Sequence, residues 1–150
     1  MTKIIHAGMH DLEMLAPLFD AYRQFYGQRT NLADSRHFLE ERIIRNESVL
    51  FLARQEDGTP SGFVQFFPSF SSVAMRRLWI LNDLFVHPEY RGYGIGEQLL
   101  HHGVVFARQT GAVGLVLETA ADNAPARRLY ERTGWVRDNQ FITYRYGLEQ

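Results

Sequence analysis

The strand-like run Leu78-Trp79-Ile80-Leu81-Asn82-Asp83-Leu84-Phe85-Val86 leads into Arg91-Gly92-Tyr93-Gly94-Ile95-Gly96. A helical pattern then runs from Glu97 to Thr110. A strand, a glycine-rich turn and a helix start, in that order, leave few architectures open. They also build an anion site: the N–H groups of the first helical turn lack intrahelical acceptors, and the helix dipole favours negative charge there. Glycine removes the side chains that would hold a phosphate away from the backbone. The turn therefore points to a phosphorylated ligand, set against the plainer reading of a tight connection with no ligand.

Two nucleotide-binding motifs are excluded. A P-loop ends in Gly-Lys-Ser/Thr, whereas Gly96 is followed by Glu97-Gln98. A dinucleotide fingerprint reads G-x-G-x-x-G at the first βα turn of an open parallel sheet. Here the spacing is G-x-G-x-G, late in the chain.

Around the turn, Lys3–His6 reads as a first strand. Leu12, Leu15, Leu18, Phe19, Tyr22, Phe25 and Tyr26 recur at helical spacing, with Pro17 as a point of kinking or division. Asp34 or Ser35 caps a second helix with Phe38, Leu39 and Ile43 facing inward. Residues 48–53 and 62–67 form a hairpin around Asp57-Gly58. Pro68 to Ala74 reads as a serine-rich loop, 77–86 as a strand, and Ile95, Leu99, Leu100, Gly103, Phe106 and Ala107 as one helical stripe. Residues 113–117 read as a buried strand and 124–133 as a helix closed by Gly134; 135–137 and 141–146 read as final strands. The expectation is a mixed α/β sheet with helices on both faces, in one domain spanning residues 1–150.

Composition narrows the chemistry. There is no cysteine, so disulfides, thiolate metal sites and thiol nucleophiles are ruled out. The six histidines fall in no metal-ligand spacing, so no metal is expected. A net charge of −1 gives no general attraction to nucleic acid or membrane. No apolar run approaches the roughly 20 residues of a membrane span, and the N-terminus lacks a signal-peptide core. A cytoplasmic protein is expected.

Arg91-x-x-Gly94-x-Gly96 fits the R/Q-x-x-G-x-G/A pyrophosphate motif of the GNAT superfamily of N-acetyltransferases. The segment Leu84-Phe85-Val86-His87-Pro88-Glu89-Tyr90 resembles that family's lead-in strand and turn. Leu115 to Glu118, Asn123, Ala126, Leu129-Tyr130 and Gly134-Trp135 resemble its second block. Asn82-Asp83-Leu84 and the 68–72 segment look like its small histone/polyamine-type members. The resemblance implies a mostly antiparallel central sheet whose splayed strands, 77–86 and 113–118, form an acyl-CoA cleft. It implies acetyl-CoA as co-substrate, with the pyrophosphate on the amides of Arg91, Gly92, Tyr93, Gly94, Ile95, Gly96 and Glu97. The Arg91 side chain either contacts phosphate or braces the turn. The backbone of Leu84, Phe85 and Val86 would pair with the pantetheine arm, and Asn123 would contact it or cap the following helix, or both.

By the same resemblance, Tyr130 is the general acid for the departing thiolate, against the plainer role of a core tyrosine. Without cysteine, direct transfer to a primary amine in a ternary complex is the natural scheme. Related enzymes carry glutamate where this chain has Asn82, which cannot act as base. Asp83, Glu118 or a water relay then remains, and strand alternation sets Asp83 on the opposite face from Asn82. Tyr22, Phe25 and Tyr26 offer an aromatic wall for an amine or belong to the helix core, and Asn82 can orient substrate. Residues 9–47 hold seven acids against five arginines, a lean toward a cationic small molecule: a polyamine, an amino acid or a lysine-like amine. Two other readings stay open, a non-catalytic acyl-CoA-binding regulatory module and acetylation of protein or histone-tail lysines. The aromatic Phe141–Tyr146 strand fits either of two readings, core packing or pairing and exchange across a homodimer.

Overall fold

The chain's structure is a computed structural model that describes residues 1–149. Contacts divide it into two compact units, the first running from Met1 to Glu118 and the second starting at Thr119.

The first unit is built on one five-stranded sheet in the order β1-β2-β3-β4-β5. β1 (Lys3–Ala7), β2 (Val49–Arg54), β3 (Pro60–Ser71) and β4 (Arg76–Val86) form an antiparallel meander, and β5 (Gly114–Leu117) lies parallel to β4. Helices α1 (Leu12–Phe25), α2 (Leu32–Ile44) and α3 (Ile95–Gln109) complete it. Strand alternation divides the apolar residues between two faces. Leu50, Leu52, Phe63 and Phe85 pack with Leu12, Leu15, Leu18 and Phe19 of α1 and Leu39 of α2. Phe51, Phe66 and Trp79 face the other way, where Phe106 of α3 lies 5.7 Å from the Phe51 ring and 5.3 Å from Trp79. No described helix is long and apolar enough to cross a membrane.

Three local expectations in this unit are corrected. Pro17 does not divide α1: it is exposed in the N-terminal half of an unbroken helix. The cap of α2 is Asn31, whose side chain accepts from the Asp34 N–H at 3.1 Å, and Asp34 and Ser35 lie inside the helix. Pro68–Ser71 is strand, not loop, because it finds a partner: Pro68 pairs with Trp79 and Phe70 with Arg77, whose guanidinium stacks 4.4 Å from the Phe70 ring. The connection shrinks to residues 72–75.

The second unit holds α4 (Ala124–Arg132), closed by Gly134 at φ +101°. The strands expected at 135–137 and 141–146 are not formed. Val136, Phe141, Ile142, Tyr144 and Tyr146 are all exposed, although their residue types favour strands. Propensity needs a partner strand to act on, and a lone two-stranded ribbon is marginal in water.

Packing on the α3 face is close at Gly103, where an added Cβ would lie 2.2 Å from Phe66 Cζ. Both residues are buried, so neither can swing into solvent. Gly103→Ala is expected to destabilise the fold by about 1–3 kcal/mol through overpacking, lowering Tm by roughly 2–4 °C per kcal/mol. Thermal unfolding checks this, and a second change, Phe66→Leu, should recover part of the loss.

Candidate functional site

β4 ends at Val86, and the chain passes through a single 3-10 turn at Pro88–Tyr90. Arg91 then folds back: its Nε donates to the Val86 carbonyl at 2.8 Å. Its guanidinium lies 5.4 Å from the Phe85 ring and 5.7 Å from Phe25. Of the two roles open to this side chain, bracing the turn is the one the structure displays. Gly92 (φ +87°) and Gly94 (φ +79°) both take the left-handed conformation that L side chains resist. Nothing lies within 4 Å of where a Cβ would stand on either, so the turn faces open space. Tyr93 is exposed between them. Gly94 is the N-cap of α3, and no side chain caps this end. By contrast, Asn31 caps α2 and Asn123 caps α4. The first turn of α3, Ile95-Gly96-Glu97, is therefore a helix N-terminus without the usual internal acceptor.

The strand feeding this turn is half unpaired. The β4–β5 ladder stops at Leu81 opposite Leu117, while β4 continues to Val86. On its other edge, Leu84, Phe85 and Val86 stay paired with Val64, Phe63 and Gly62. Among the described residues no strand covers the remaining edge of 84–86, because β5 ends at Leu117.

A β-bulge changes the chemistry of this strand. Gln65 pairs with Asp83 but Phe66 pairs with Leu81, leaving Asn82 as the extra residue. Paired residues share a face, so Leu81 turns toward α3 with Phe66, and Asp83 turns toward α1 with Gln65. Plain alternation would have set Asn82 and Asp83 on opposite faces. Instead the Asn82 Nδ2 donates to Asp83 Oδ1 at 3.1 Å. The bulge could be found only from the partner strand's register.

Asp83 is buried, at 4% exposure. Gln65 Nε2 donates to its Oδ2 at 2.6 Å. The Tyr22 phenol hydrogen-bonds the same carboxyl and lies 3.3 Å from the Asn82 carbonyl oxygen. Burial pushes the Asp83 carboxyl above the usual carboxylate range, against the opposing pull of these three neutral donors. Glu118, just past β5, is exposed. Tyr22, Asn82 and Asp83 are thus brought together, and Tyr26 joins them through a 5.0 Å edge contact with Tyr22. Tyr22 packs between Phe19, Phe63 and Phe85, whereas Phe25 and Tyr26 are exposed, so the wall is one packed ring and two open ones. Gln65 was missed by the sequence reading, although a lone polar residue inside Phe63-Val64-Gln65-Phe66-Phe67 was the available signal.

Asp20 was missed as well. This buried carboxylate of α1 accepts from Thr30 Oγ1 at 2.5 Å, Asn31 N at 2.7 Å, Ser35 Oγ at 3.2 Å and Gln24 Nε2 at 3.2 Å. Burial raises its carboxyl, but those donors outweigh it and hold the group below its ordinary value. The bonds pin the α1–α2 connection beside the aromatic wall.

Within the second unit, Asn123 Oδ1 accepts from Ala126 N at 3.3 Å, the capping role weighed for it. Tyr130 is half-buried on α4, its ring 6.0 Å from that of Trp135. Among the described residues no cluster of three or more His, Asp or Glu side chains could hold a metal ion.

Comparison with known proteins agrees with this geometry. Residues 13–135 match the model of the acetyltransferase (GNAT) family. The chain is 44% identical to an uncharacterized N-acetyltransferase, YhfO, of Bacillus subtilis, over 94% of each chain. It is 38% identical to a "probable acetyltransferase" of Haemophilus influenzae, over 79% of this chain and 81% of that one. A crystal structure of a "probable acetyltransferase" superposes with a TM-score of 0.94 at 40% identity, covering 99% of both chains. A strand left open on one edge beyond its parallel ladder, an uncapped helix behind left-handed glycines and these relatives lead to one assignment: the chain belongs to the GNAT family of acetyltransferases and is an acyltransferase enzyme.

Proposed function

We propose that the chain, as a single N-acetyltransferase domain, moves an acetyl group from acetyl-CoA to a primary amine by direct transfer in a ternary complex. The observation that carries this reading is the α3 N-terminus, left without a side-chain cap behind two glycines whose open sides meet nothing within 4 Å. A diphosphate suits such a cradle, since main-chain N–H groups and the helix dipole both favour it. The uncovered edge of Leu84, Phe85 and Val86 suits an amide-bearing arm that adds as a strand. Acetyl-CoA supplies an acetyl group activated as a thioester.

The remaining work falls to the chain's own residues. An alkyl ammonium, with a pKa near 10, must lose a proton before it can attack. Asp83 takes this role in preference to Glu118: it is buried beside Tyr22, and its carboxyl sits above the usual range, closer to the pH at which a base is useful. Tyr130 donates its phenolic proton to the departing thiolate; phenol and thiol lie close enough in pKa for a nearly balanced transfer. Asn123 combines capping α4 with a contact to the pantetheine arm. Tyr22, Tyr26 and Asn82 receive the acceptor, the exposed Tyr26 ring favouring a cationic small amine.

Three outcomes test the proposal. Gly94→Val should weaken CoA binding about 10- to 100-fold in calorimetry, the value of one or two charge-assisted hydrogen bonds; unchanged affinity would remove the cradle. Tyr130→Phe should lower kcat by about 100-fold or more with CoA affinity intact. Asp83→Asn should cost a similar factor and abolish the acidic limb of kcat/KM, across a panel of polyamines, amino acids and lysine peptides. The same change should alter stability with a definite sign. The folded carboxyl holds its proton to higher pH than the unfolded one, so wild-type stability falls as pH rises from about 3.9 through the folded value. Asp83→Asn should flatten that decline.

A further inference from the structure

Gln65 has no exposed surface, yet it is only half satisfied: Nε2 donates to Asp83 Oδ2 at 2.6 Å, and Oε1 has no hydrogen-bond partner. A buried orphan carbonyl is costly and calls for a reason. The bulge supplies one, because its register aims Gln65 and Asp83 at each other beneath α1.

We propose that Gln65 is a positioning residue for proton transfer, its amide serving Asp83 in both protonation states. This rests on the reading of Asp83 as base. With Asp83 ionised, Nε2–H donates to the carboxylate. When Asp83 has taken a proton from the incoming ammonium, the new O–H needs an acceptor. Rotation of the terminal amide by half a turn presents Oε1, so that the acid donates to Gln65. Each state makes one hydrogen bond and leaves one amide atom unpaired, but the bond to the carboxylate is charge-assisted and the stronger of the two, so the amide favours the ionised form while still accepting from the acid. The proton then leaves Asp83 for solvent, and the amide turns back.

Of the groups around Asp83, the Gln65 amide is the one that combines a 2.6 Å contact with an unpartnered acceptor oxygen. From α1 comes the Tyr22 phenol, from β4 the Asn82 amide, and from β2 only Leu50, opposite Gln65. Arg91, the cation at the end of the same strand, is committed to the Val86 carbonyl and the Phe85 and Phe25 rings.

The test is a carbon-13 carboxyl titration of the full chain, with the Asp83 signal assigned by its loss in Asp83→Asn. Gln65→Leu removes the donor and should raise the Asp83 midpoint by about one to two pH units. The acidic limb of kcat/KM should move with it. An unmoved midpoint overturns the proposal. A midpoint that moves while the acidic limb stays put upholds the link between Gln65 and Asp83 and removes Asp83 from the reaction instead. Should Gln65→Leu fail to fold, the near-isosteric Gln65→Glu sets two carboxyls 2.6 Å apart. Such a pair should titrate in two coupled steps; a single unshifted step would overturn the proposal equally.

Discussion

The site depends on the pairing of β4, which is interrupted on both edges within a few residues. On the β3 edge a bulge at Asn82 shifts the register; on the β5 edge the ladder ends at Leu81. The bulge rotates the last part of the strand by one face, so Asp83 and Phe85 join the α1 side while Trp79 and Leu81 stay with α3. The lost ladder leaves backbone donors and acceptors of Leu84–Val86 with no strand against them. A strand designed for stability alone would have neither feature, since each gives up hydrogen bonds or regular packing.

The same trade recurs at the end of the strand. α3 starts from a left-handed glycine without a capping side chain, although an Asn, Ser or Asp cap is worth roughly a few tenths of a kcal/mol more than glycine. Arg91 offsets part of this by tying the turn to Val86 and covering the Phe85 ring. Asp83 follows the same logic. A carboxyl with little exposure, partnered only by neutral donors, destabilises its charged form, and Gln65 beside it carries an orphan oxygen. Asp20, by contrast, collects four donors and holds its charge easily. Two buried aspartates on neighbouring elements thus sit in opposite electrostatic settings, one suited to structure and one to proton exchange.

Much was legible in the chain because it is encoded locally. Gly92 and Gly94 declare a left-handed turn through their missing Cβ atoms. The stripe Ile95, Leu99, Leu100, Gly103 and Ala107 states which side of α3 is buried, and Asp57-Gly58 between the apolar runs 48–53 and 62–67 states a hairpin. The family and the helix cap at Asn123 followed from patterns of this kind. What failed were inferences that needed a partner. Pro68–Ser71 reads as loop by its serines and becomes strand because Arg76–Trp79 lies opposite. Phe141–Tyr146 reads as strand and stays unpaired and exposed because no described strand lies against it.

The primary sequence therefore determined the periodicities, the glycine turn and the chemical inventory, all properties of residues and their near neighbours. Tertiary structure alone decided which of two adjacent residues faces α1, that Gln65 meets Asp83, and where β5 leaves β4. The physical reason is that register is a relation between two strands: one extra residue on one of them inverts every face beyond it, and nothing in the local pattern of β4 records where its partner's ladder shifts.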